Sequence, residues 1–225
     1  MEHSAVLGLL AVSFPLGMLH ALDPDHVLAV ATLTGRERKP TRALSYALHW
    51  AMGHGGLLLL ITIAVLSFHF VLPPSVPYWA ERSVGVILIV TGTSVLWIIR
   101  KERLHGHGPA HVHGHAGGMI AHSHADDGLP KYSPFRAPFL IGIVHGTAGS
   151  APFLALLPAA FLSPLMGVLY VAIFSVGVLV GMLSFAVLLR HGQGWLGHRA
   201  EGLGHACRGL FAVAALGAGA FWLVG

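Results

Sequence analysis

The chain has 225 residues, of which 55% are hydrophobic and only 10% charged, and its formal net charge is +4. Soluble domains carry about a quarter charged residues, so this sequence lacks the polar side chains to cover a water-soluble globule, and a mean hydropathy of +0.73 points to the bilayer as its solvent. The basic excess is too small in so apolar a chain to argue for a nucleic-acid partner, and the single cysteine, Cys207, excludes an intrachain disulfide and a multi-thiolate metal site.

The amino end, Met1-Glu2-His3, has no basic stretch ahead of the first apolar run, and that run holds two aspartates, so no cleaved leader is expected. A span needs about 20 apolar residues. Six stretches qualify: 4–33, 43–72, 78–99, 138–162, 165–189 and 203–224. Spans of this kind are helices, because a lone strand leaves its backbone groups unpaired in lipid. The expected fold is therefore an all-α integral membrane protein with six transmembrane helices. Three fall in a first part, 1–100, and three in a last part, 137–225, with a loop over 101–136 between them.

Basic residues set the orientation. Arg36, Arg38, Lys39 and Arg42 follow the first span, Arg100, Lys101, Arg103, Lys131 and Arg136 the third, and Arg190, Arg199 and Arg208 the fifth. Of the 13 Lys and Arg residues only Arg82 lies on the other side. The positive-inside rule then places those three loops in the cytoplasm and both termini outside it, in a multi-pass protein of the plasma (inner) membrane. Halves of three spans each enter from opposite sides, so a repeat between them would be inverted. Gly17-Met18-Leu19-His20-Ala21 and Gly142-Ile143-Val144-His145-Gly146 are a candidate trace of one. Each runs into helix-breaking chemistry, Asp23-Pro24-Asp25 and Gly146-Thr147-Ala148-Gly149-Ser150.

The chemistry concentrates in the first span, at His20-Ala21-Leu22-Asp23-Pro24-Asp25-His26. An aspartate at the centre of a membrane helix costs about 2.5–3.5 kcal/mol on insertion scales, so two of them call for a cation, a water-filled cavity or a partner charge. Helical spacing puts His20, Asp23 and His26 on neighbouring turns. Pro24 lacks an N–H and clashes with the carbonyl four residues back, which predicts a kink that frees the His20 carbonyl and turns Asp25 toward the same cavity. The alternative is a span that ends near Leu22, with 23–26 a solvated turn. The apolar run Ala29-Val30-Ala31-Thr32-Leu33 argues against it.

This cluster resembles the H-A-x-D-A-D-H signature of the nickel/cobalt transporter (NiCoT) family, with Pro24 in place of the commoner alanine. The resemblance implies that His20, Asp23, Asp25 and His26 recognise the metal. In the second span, Leu48-His49-Trp50-Ala51-Met52-Gly53-His54 resembles that family's L-G-H-S element, which implies His54, with His49 an additional candidate. His49 and His54 stand about 140° apart around a regular helix, so only one faces the site. The family's acidic F-D-T-A-T-E element is missing. In its place stand His145, Thr147 and Ser150, and the chain has fewer spans than the full family. It is most similar to the shorter nickel-permease branch associated with urease and hydrogenase maturation.

The loop over 101–136 carries His105, His107, His111, His113, His115, His122 and His124 among Gly and Ala. Neutral imidazole is a common ligand for nickel, copper and zinc. A flexible cytoplasmic buffer or sensor is expected there, disordered without metal, beside the plainer reading of a neutral linker. At the amino end, the terminal amine, the first backbone amides and His3 (Met1, Glu2, His3) could wrap a Ni(II) or Cu(II) ion in a square plane.

The expected activity is uptake of a divalent transition metal, Ni2+ or Co2+, with no cofactor and no enzymatic step. His54 and His145 would complete the site. Expected partners are the ion, the bilayer, and cytoplasmic metallochaperones or other transporter subunits. Neither GxxxxGK[ST] nor HExxH occurs, which argues against an ATPase and a zincin. Metal efflux, a haem-binding electron carrier and an intramembrane zinc hydrolase are the alternatives. If the amino-terminal chelate takes part, acetylating the terminal amine should lower nickel uptake, and unchanged uptake rejects it.

Overall fold

The computed structural model describes residues 3–35, 40–69, 73, 75–104, 112–115, 118–121, 136–149, 152–199 and 201–224. Helix α1 (His3–His20) runs through an apolar sequence and stops at its only histidine past the start. A tight turn follows, closed by Ala21 N–H to the Gly17 carbonyl, Leu22 N–H to Leu19 and Asp23 N–H to His20, each within 3.0 Å. Pro24 then opens α2 (Pro24–Gly35). At the first position of a helix its missing N–H is not needed and its fixed φ suits the helix. The Val27 N–H bonds the Asp23 carbonyl at 3.0 Å as the first bond of the new helix.

This corrects the expected kink. The span breaks completely, Pro24 starts a helix instead of bending one, and the His20 carbonyl is taken by Asp23. The turn is nonetheless not solvated, because Asp25 and His26 are buried.

Helices α3 (Pro40–Phe68) and α4 (Ser75–Leu104) follow. Within the histidine-rich segment, β1 (Val112–His115) and β2 (Gly118–Ala121) pair as an antiparallel hairpin with His113 opposite Ile120. The fourth expected span is not one helix. It is α5 (Arg136–His145), a break over 146–149 with Gly149 at φ +68°, a π-helical turn over Pro152–Leu156 and the short α6 (Leu157–Ala160). The Tyr170 hydroxyl donates to the Leu154 carbonyl at 2.9 Å, supplying a partner to backbone in that irregular stretch. Helices α7 (Pro164–Arg199) and α8 (Glu201–Val224) complete the chain. Among the described residues five helical segments are long and apolar enough to cross a membrane: His3–His20, Thr41–Phe68, Ser75–Glu102, Pro164–Gly192 and Leu203–Val224. The chain is a largely helical membrane protein.

Glycine decides how these helices meet. A Cβ on Gly17 would collide with the Phe174 carbonyl, and one on Gly177 with the Phe14 carbonyl, so α1 and α7 touch backbone to backbone. Gly53 meets the Phe139 carbonyl and Gly142 the Trp50 carbonyl, which gives α3 and α5 the same contact. Gly181 lies on Met18 and Ala21, and Gly146 on His54 and Leu57, so in both pairs the helices run in the same direction. In lipid, apolar surface alone does not drive helices together, and small residues that admit close approach do much of that work.

Helices α4 and α8 pack antiparallel through Gly85 and Gly219. At one end Arg82 donates to the Leu223 carbonyl at 2.9 Å, capping α8, and stacks 4.1 Å over the Tyr78 ring. At the other, Glu102 holds Arg208 at 3.1 Å and His205 at 3.2 Å. The main core joins Trp50, Leu58, Tyr170, Phe174 and Met182 from α3 and α7.

The glycine contacts predict a measurable asymmetry. Gly142→Ala should cost about 1–3 kcal/mol, as overpacking does, and lower the thermal midpoint in detergent. Gly8→Ala, whose added carbon meets nothing within 4 Å, should leave it unchanged. Equal midpoints for the two would mean that the α3–α5 contact contributes nothing.

Candidate metal centre

The two helix breaks and the middle of α3 converge on one buried cluster. His20 ends α1, Asp25 and His26 sit in the first turn of α2, His54 lies on α3 and His145 ends α5. All four histidines are fully buried. His20, His26 and His54 each offer a nitrogen, and these three atoms lie within 4.8 Å of one another. Metal–imidazole bonds are about 2.0–2.1 Å long, so small side-chain movements bring three such nitrogens onto one ion.

The carboxylates stand behind the rings. His20 Nδ1 lies 3.0 Å from Asp23 Oδ2, and Asp25 Oδ2 lies 3.2 Å from His26 Nδ1 without hydrogen-bond alignment. A carboxylate hydrogen-bonded to a ring as Asp23 is to His20 fixes the tautomer and raises the basicity of the other nitrogen. With its Nδ1–H donated to Asp23, a neutral His20 keeps a lone pair on Nε2. That atom faces His54 Nε2 at 3.3 Å, so the proton between them belongs to His54. A cation bound between the two rings would displace that proton, and His54 Nδ1, which has no hydrogen-bond partner among the described residues, is the atom open to receive it.

His145 stands one ring away. Its centroid is 5.8 Å from that of His26, and its Nδ1–H donates to the Ile141 carbonyl at 2.9 Å. Nε2 is left buried without a hydrogen-bond partner. It lies outside the three-histidine group.

Trp50 was not singled out from the sequence, yet it lines the site. It stacks on His54 with 5.2 Å between centroids and 9° between planes, and meets His26 at 4.7 Å and His145 at 5.2 Å. The available signal was its spacing, four residues before His54 and therefore one turn away on the same face. Phe174 closes the other side, 5.5 Å from His20.

The remaining described candidates lie outside the three-histidine group. His49 is half-buried and donates Nδ1–H to the Ser45 carbonyl of its own helix at 2.7 Å, away from the cluster. His3 is exposed at the start of α1 and Thr147 is buried in the break after α5. His113 and His115 fall on β1. Met1, Glu2, His105, His107, His111, His122, His124 and Ser150 lie outside the described residues.

Comparison with known proteins gives two relatives. Over 191 residues the chain is 30% identical to the urease accessory protein UreH of Bacillus sp. (strain TB-90), an alignment covering 84% of this chain and 79% of that protein. Over 182 residues it is 29% identical to the chloroplast protein FOR GROWTH AND FERTILITY 2 of Arabidopsis thaliana, covering 77% of this chain but 44% of the plant protein, so the chain spans less than half of that relative. No protein-family model matches the chain. No solved structure matches it either.

The arrangement separates binding from support. Asp23→Asn leaves the three ring nitrogens in place but weakens the acceptor behind His20, and metal affinity should fall about 10- to 100-fold, as for other partners of ligand histidines. Calorimetric titration of the purified protein with Ni2+ measures this, and wild-type affinity would remove Asp23 from the site.

Proposed function

The chain belongs to the family of the urease accessory protein UreH, and from that premise we propose that it carries a divalent transition metal, nickel foremost, across the membrane. The observation that carries this reading is the buried trio His20, His26 and His54, with nitrogens within 4.8 Å of one another in a chain of membrane-spanning helices. Urease accessory function gives a reason for nickel, and so does the similarity of the His20–His26 signature to nickel/cobalt transporters. Cobalt is the next candidate.

Electrostatics favours a divalent cargo. With neutral imidazoles the site holds the two carboxylates Asp23 and Asp25, and an M2+ ion balances them. Asp25 is 3% exposed and needs that compensation most. Nitrogen ligands suit nickel, cobalt, copper and zinc, and give little to magnesium or calcium, which take oxygen.

The packing supports a six-span architecture in which α1–α2 and α5–α6 are each one broken span. Parallel α1/α7 and α3/α5, with antiparallel α4/α8, agree with six alternating crossings that leave both termini on the same side. Phe14-x-x-Gly17-x-x-His20 and Phe139-x-x-Gly142-x-x-His145, placed at the two breaks, support an inverted relation between the halves. In this reading the ion enters from the outer face and loses water to the three rings. An inside-negative potential draws it inward by about 4.6 kcal/mol per 100 mV for two charges. No nucleotide and no catalytic step are required. Cytoplasmic metallochaperones or other subunits would receive the ion.

Proteoliposomes test this directly. Wild-type protein should take up labelled Ni2+ when the lumen is made negative, and His26→Ala and His54→Ala should each reduce uptake to the protein-free level while eluting as folded protein. Undiminished uptake by either variant refutes the site. Net movement only out of the lumen, in uniformly oriented vesicles, would reverse the direction.

A further inference from the structure

The three-histidine trio leaves buried ligand atoms unused next to His26. His145 Nε2 and Asp25 Oδ2 have no hydrogen-bond partner among the described residues, and neither does either ring nitrogen of His26. Around the His26 ring stand His20 at 4.6 Å and His54 at 5.1 Å between centroids. The Asp25 carboxylate, 3.2 Å from Nδ1, and His145, at 5.8 Å between centroids, neighbour the same ring. Only the first of these sets is closed up within 4.8 Å.

Two of these neighbours match. His20 and His145 each end a helix, and each follows a glycine three residues back that lies on a neighbouring helix's backbone. Each commits Nδ1, to Asp23 or to the Ile141 carbonyl, so Nε2 is the nitrogen that can ligate. Each is followed by a break, and the second holds Gly149 at φ +68°, with Asp25 Oδ2 the nearest side-chain atom to the place its Cβ would occupy.

Resting on the metal-carrier reading, we propose that His26 is a shared ligand that hands the ion from a first position, with His20 and His54, to a second position with Asp25 and His145. The exchange needs no proton transfer at His145, because its Nε2 lone pair is already available. The second position offers two imidazoles and one carboxylate, a donor set for a borderline divalent cation that still prefers nitrogen. Because both positions use His26, only one can be filled at a time. Glycines at 146 and 149 give the end of α5 the backbone freedom to bring His145 the last distance.

The test separates binding from transfer, using the full chain and Ni2+ as the probe. Wild-type protein in detergent should bind one Ni2+ per chain. His145→Ala should still bind one, with affinity within about threefold, whereas its uptake into proteoliposomes should fall about tenfold or more, a loss on the scale seen when metal-site partners are removed. His54→Ala should lose binding itself. If the alanine variant aggregates, His145→Gln, which keeps a polar side chain of similar reach, is measured in its place. Wild-type uptake by the His145 variant overturns the second position. Loss of binding as deep as that of His54→Ala overturns the handover in favour of a single four-histidine site. Failure of the carrier reading shows itself differently, as a wild-type protein that neither binds nor moves Ni2+.

Discussion

A helix that ends inside a bilayer leaves its last carbonyls without partners, and lipid offers none. This chain ends two helices beside a shared buried cluster, α1 at His20 and α5 at His145, and in the six-span reading proposed above much of the architecture answers that constraint. The turn after α1 ties its own carbonyls, Gly17 to Ala21, Leu19 to Leu22 and His20 to Asp23. After α5, Gly142 and Ile143 both bond the Gly146 N–H, and His145 bonds Ala148. Protein covers both ends, because Gly17 and Gly142 bring α7 and α3 so close that no lipid chain fits between. A side chain at either position would part the helices and open the broken ends to hydrocarbon.

The same close packing places the ligands. Each of the two glycines sits three residues before a histidine, one turn away along the helix, so the contact that seals the helix end also fixes where its imidazole stands. Trp50 joins the two roles. Its carbonyl receives Gly142, and its ring, 1% exposed, lies against His26, His54 and His145. Core and site are therefore one structure here. Substitutions in this wall will change rigidity and ligand geometry together, which is why binding and transport have to be measured separately.

The membrane class, the positions of most apolar segments and most residues of the buried cluster were legible in the sequence, because hydropathy and ionisable residues within apolar runs are local properties. His20, Asp23, Asp25, His26 and His54 all reach the cluster or stand directly behind its rings. The helix breaks were legible only as chemistry. Pro24 reads as a kink when the helix is assumed to continue, and only the turn before it shows that a new helix begins there. The fourth span failed as a single helix because Gly146, Gly149 and Pro152 act cumulatively, whereas hydropathy averages over them. Trp50 and the pairing of the His20 ring with His54 were not legible for another reason. Both depend on contacts between rings from α1, α2 and α3, and no spacing within one helix reports them. His49 shows the converse, since a histidine five residues from a ligand is satisfied by its own helix through the Ser45 carbonyl.

Selectivity in the proposed carrier has to come from shape. Imidazole donors reject hard cations, yet by intrinsic affinity copper binds such sites more tightly than nickel. The geometry offers a means of discrimination. His20 is held by Asp23 and His145 by the Ile141 carbonyl, and His54 is pinned flat against Trp50. The His26 ring, with neither nitrogen in a hydrogen bond to a described residue, is left to turn, while Gly146 and Gly149 let His145 shift as a whole without turning its ring. Three constrained rings and one adaptable ring suit an ion that accepts the offered angles, and they penalise one that demands its own. A tight, fully encircling site would hold nickel well and release it slowly. A site that closes three ligands and keeps the fourth a ring's width away gives up some affinity and keeps the ion moving.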